Sequence, residues 1–173
     1  MRAVRVALVI GLVLVLQVAV MPHLRIAGVA PDLLLVLTIA VAVRLGPEAG
    51  ALTGFAAGLA FDLFLETPLG LGALADALVG YGAGVFVAGL LRVPRGLPLT
   101  LAAVGGLAGG FVFLAVGTLA GSDAVHGWHG VQTVVLAAAY DALVAPAIFG
   151  LVALVLRTPR TSDPWAGAPM LRR

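Results

Sequence analysis

Four aspartates, Asp32, Asp62, Asp76 and Asp141, fall in or at the edges of long apolar runs. A carboxylate at the centre of a membrane-spanning helix costs roughly 2.5–3.5 kcal/mol on insertion scales, so each must have a use or a partner. Two carboxyl groups brought together could share a proton and activate water, as in intramembrane aspartyl proteases. The flanking residues do not fit that class. Ala60-Phe61-Asp62-Leu63 and Leu74-Ala75-Asp76-Ala77 lack its Gly-x-Gly-Asp motif, and Tyr140-Asp141 matches only its Tyr-Asp half. His126 and His129 are three apart, but zinc needs three or four ligands and Asp123 is the one conceivable addition. Both serines, Ser122 and Ser162, lie outside the apolar runs, and Gly-x-Ser-x-Gly, His-Glu-x-x-His and Walker A patterns are missing. The sequence therefore predicts no enzyme, no catalytic residue, no metal and no cofactor.

The setting of the acids follows from composition. The 173 residues are 62% hydrophobic and 10% charged, with a mean hydropathy of +1.16. Soluble domains use about 45–50% apolar residues. A spanning helix needs about 20 mostly apolar residues, so this length holds about six spans with short loops and no soluble domain. Cysteine is absent, which excludes disulfides and thiolate chemistry. All ten basic residues are arginines, placed at the ends of apolar runs, so the basic balance predicts membrane topology and no nucleic acid.

Six helices are predicted: Val6–Val20, Val29–Val43, Ala49–Leu65, Leu71–Leu91, Leu99–Leu119 and Val131–Leu156, the last kinked at Pro146. The first is read as a retained helix, because Val18-Ala19-Val20 is a poor cleavage site. Glu66–Gly70 reads as a tight turn. Residues 121–130 form a polar loop in which Trp128 fits a headgroup-level anchor. Six spans with an inside N-terminus leave nine arginines cytoplasmic and only Arg25 outside. Five spans, with the second helix re-entrant, would put eight outside, Arg25 among them. Both termini are therefore expected in the cytoplasm, with a single membrane domain over 1–157 and a disordered tail over 158–173.

On that topology Asp32, Asp62 and Asp76 lie in the outer third of their helices, and Asp141 about 15 Å from the outer end of its own. Asp62 and Asp76 read as an outward polar pocket or a hydrogen-bonding site for a partner's helix, with Arg25 as salt-bridge candidate, or else as caps on the nearby turn. Asp141 reads as an internal hydrogen bond beside Pro146 or as a polar centre in the bundle. Gln17, Thr38 and Thr53 are expected to hydrogen-bond between helices.

Glycine supplies a second pattern. Gly50, Gly54, Gly58 and Asp62 recur every four residues, a bare stripe on one helix face. Together with Gly80 and Gly84 on the next helix, the stripe predicts a docking surface for a partner's helix, because nothing holds another backbone away. Internal packing is the other reading. Gly105, Gly106, Gly109 and Gly110 form two further offset pairs.

Pro31-Asp32-Leu33-Leu34-Leu35, Gly46-Pro47 with the stripe through Asp62, Pro68-Leu69-Gly70, Ala73-Leu74 and Gly80-Tyr81 with Gly84 resemble the MreD family. Gln132 and Tyr140-Asp141-Ala142-Leu143 with Pro146 resemble its last helix more loosely, whereas Asp76 and the extra glycine pairs depart from the pattern. The resemblance implies a non-enzymatic scaffold of the bacterial inner membrane. Its partner would be MreC, bound through MreC's transmembrane helix. Indirect partners would be the wall glycosyltransferase, the penicillin-binding transpeptidase and actin-like filaments. The family is also similar in fold to the substrate-binding subunits of energy-coupling-factor transporters. That likeness gives an alternative function, a vitamin-binding membrane subunit, against which the 6% aromatic content weighs.

Overall fold

The computed structural model describes residues 2–65, 69–90, 96–119 and 128–156. Among the described residues there are six α-helices: α1 (Arg2–Ala19), α2 (Leu33–Leu45), α3 (Pro47–Asp62), α4 (Leu71–Ala88), α5 (Leu97–Leu119) and α6 (Trp128–Val155). A short 3-10 turn, Met21–Leu24, follows α1. Arg92, Arg95, Arg157, the residues Glu66, Thr67 and Pro68 of the predicted turn, the loop with Asp123 and His126, and the tail lie outside the described residues, as do the side chains of Trp128 and His129.

Local chemistry sets the helix ends and corrects several predicted ones. α2 begins four residues later than Val29. Val29 is taken up in a two-residue hairpin, where Ile26 and Val29 donate to each other's carbonyls at 3.1 Å. Ala27 and Gly28 make that turn with φ of 54° and 81°. Asp32 then caps α2, accepting from the N–H groups of Leu34 and Leu35 at 3.1 and 3.0 Å. At the other end Gly46, with φ 94°, reverses the chain. Pro47 and Glu48 start α3 directly, suiting the positive end of a helix. α3 stops at Asp62 rather than Leu65, and α6 runs through Pro146 without ending.

α2 is the axis of the bundle. Every residue from Leu33 to Ala42 is buried, and all five other helices pack against it. At 1.5 Å per residue its 13 residues span only about 20 Å. α4, α5 and α6 contain stretches long and apolar enough to cross a bilayer: Leu71–Ala88, Leu97–Ala115 and Gly130–Val155. α1 and α2 are apolar but shorter. Large apolar side chains on the outer faces, such as Leu8, Leu52, Leu78 and Leu143, are exposed as a lipid solvent would allow.

Candidate functional site: a glycine seam and an acid-lined cavity

The glycine stripe is occupied, and by the chain itself. A methyl group added at Gly50 would lie 2.6 Å from the Gly80 carbonyl oxygen, and one at Gly58 2.7 Å from the Ala73 Cα. At Gly54 it would lie 2.8 Å from the Ala77 nitrogen, and at Gly84 2.6 Å from the Pro47 nitrogen. α3 and α4 run antiparallel with their backbones in contact, so each side of the seam needs the other's glycines. This corrects the expectation that Gly50, Gly54, Gly58, Gly80 and Gly84 receive a partner's helix. The spacing showed that some backbone comes close; it did not say whose.

The four acids meet at one end of the bundle, where α2, α4 and α6 begin and α3 and α5 end. They line a cavity of about 340 Å³. Glycines line it: Gly58 and Gly72 on one side, Gly106, Gly109 and Gly110 of α5 on the other. Three acids are held by backbone donors. Asp62 accepts from Gly70 and Ala73 N–H at 2.8 and 3.3 Å through Oδ2, capping α4. Asp32 caps α2, and its own N–H donates to Asp141 Oδ1 at 2.6 Å, joining α6 to the start of α2. Asp76 differs. It is 7% exposed, and among the described residues its carboxyl has no hydrogen-bond partner. The Oδ1 atom of Asp62 is likewise buried and unpaired. No basic side chain lines the cavity among the described residues. Arg25, expected to pair with these acids, instead lines a separate recess with Pro31 and Tyr140.

The family model described as rod shape-determining protein MreD matches residues 1–157. The chain belongs to the MreD family. No curated protein and no solved structure matches it. Membership, with the three long apolar helices, makes it a membrane protein with a role in rod shape determination.

Two further features position the site in this MreD-family chain. Gln17 of α1 donates to the Pro31 carbonyl at 3.0 Å and accepts from Leu33 N–H at 2.9 Å, so one amide ties α1 to the capped start of α2. Thr38, expected to bond between helices, leaves its hydroxyl oxygen buried without a partner. The four glycines of α5 serve two neighbours. Gly105 and Gly109 face Ile39 and Leu35 of α2, while Gly106 and Gly110 face α6 at Ala138, Asp141 and Val134. Their contribution to the cavity was not foreseen; the adjacent pairs, one residue out of phase, were its signal.

Proposed function

We propose that the chain is a non-enzymatic scaffold of the bacterial cell-wall elongation complex that binds the transmembrane helix of MreC. In this reading it spans the inner membrane six times with both termini cytoplasmic. It thereby links wall glycosyltransferase and penicillin-binding transpeptidase to actin-like filaments. The observation that carries the reading is the family match over residues 1–157. Because α4 fills the glycine stripe, the partner's helix is placed on another face. An apolar recess of about 450 Å³ runs between α4 and α5, with Gly82, Ala83, Gly105 and Ala108 along it. Gly82 is exposed there, and a methyl group added to it would meet nothing within 4 Å. Small residues beside an open apolar recess let a second helix approach closely.

Affinity purification of the full chain from detergent-solubilised membranes tests the function. MreC should be recovered with it, and recovery of ATP-binding cassette subunits in its place would point to a transporter. Gly82→Leu tests the face. The variant should insert and fold normally yet recover less MreC; undiminished recovery would move the contact elsewhere.

A further inference from the structure

The geometry points to a binding site for a small organic cation, a primary ammonium or guanidinium head, in the cavity between α2, α3, α4 and α6. Four carboxyl groups line this space with no basic side chain among the described residues to answer them. Acids alone would not define a site, because three of these are engaged as caps or in a helix-to-helix bond. Asp76 supplies the separate observation. It is more than nine-tenths buried, lines the cavity and lacks any hydrogen-bond partner among the described residues. A buried carboxyl without a donor is costly in an apolar surround, so its missing partner is a donor that enters the cavity.

Size and spacing select the class of ligand. No group of three or more acids or histidines among the described residues is arranged to hold a metal ion. The cavity is instead within the range of small-molecule pockets, about 300–1,000 Å³. An ammonium group carries three N–H donors and a guanidinium five, enough to answer both oxygens of Asp76. Gly72 and Gly106 give the carboxylates of Asp62 and Asp141 room to pack at the cavity wall, since a methyl group at Gly106 would lie 2.6 Å from Asp141 Oδ2. The cation can be a free amine or the basic side chain of a partner protein; the recognition chemistry is the same. This inference does not rest on which protein the chain binds.

The test uses the purified full chain in detergent and two probes of similar shape, n-butylammonium and n-butanol. The ammonium should raise the melting temperature in a concentration-dependent way and the alcohol should not. Asp76→Asn, which keeps the shape and removes the charge, should lose the ammonium response while Glu48→Gln at the start of α3 keeps it. Equal responses to ammonium and alcohol, or an undiminished response in Asp76→Asn, would overturn the site. If Asp76→Asn does not fold, the wild-type comparison of the two probes decides alone. Native mass spectrometry of the wild-type chain from membranes separates the sources. A retained small amine identifies a free ligand, and a bare chain that still responds to n-butylammonium assigns the head to a partner. A bare chain that ignores the probe contradicts the inference.

Discussion

Glycine admits different neighbours in two adjoining regions of this bundle. Along the α3–α4 seam, Gly50, Gly54, Gly58, Gly80 and Gly84 face backbone, and the two helices close until no space is left. At the acid-lined end, Gly72 and Gly106 face side chains, and the carboxylates of Asp62 and Asp141 take the room a methyl group would need beside the cavity. The same residue admits a neighbouring backbone in one place and a buried carboxylate in the other. A bare stripe in a membrane helix is therefore evidence of close approach, and its neighbours decide what approaches.

Substitutions along the seam should be the most damaging. Gly58→Leu drives a branched side chain into the Ala73 backbone, which cannot yield as a side-chain tip could. Near-complete loss of monodisperse protein is expected in size-exclusion chromatography of the solubilised chain. Recovery at the wild-type level would mean that the seam is looser than described.

The cavity end should respond less, because its damage is the loss of single hydrogen bonds. Asp141→Ala strands the Asp32 N–H that its carboxylate accepts at 2.6 Å. Leaving a buried donor unmatched costs about 1–3 kcal/mol, measurable as a shift in denaturant-induced unfolding in micelles. Stability equal to wild type would show that the α2–α6 link is dispensable. Asp62→Ala removes the acceptor at the start of α4 and should cost about 0.5–2 kcal/mol by the same measurement.

Gln17→Leu is expected to have the smallest effect of this series. It keeps the volume of the side chain but removes its two bonds to the start of α2. Interhelical polar contacts in membranes average about 0.6 kcal/mol, so a loss near 1 kcal/mol is expected, read as greater protease access to α1. Unchanged cleavage would leave packing alone holding α1.

Much of this contrast was legible before the fold was known. The Gly50-Gly54-Gly58-Asp62 period placed those residues on one buried face, because a four-residue repeat survives any tertiary arrangement. The partner of that face was not legible, since spacing within one helix carries no record of the opposing backbone. The start of α2 was missed for a local reason. Val29 reads as helical by apolarity, yet the positive φ of Ala27 and Gly28 ties it into a hairpin. Convergence of Asp32, Asp62, Asp76 and Asp141 depends on how four helices stack, and only the shared outer depth of the first three could be read in advance, with Asp141 expected deeper. The departure of Arg25 from the acids had no sequence signal at all.

The central claim, that the stripe is an internal seam, is tested most directly by Gly54→Ala in the purified chain with no partner present. A single methyl group there would lie 2.8 Å from the Ala77 nitrogen, so unfolding stability should fall by about 1–3 kcal/mol. Stability unchanged in isolation, with MreC recovery lost from membranes, would contradict it and return the stripe to a partner.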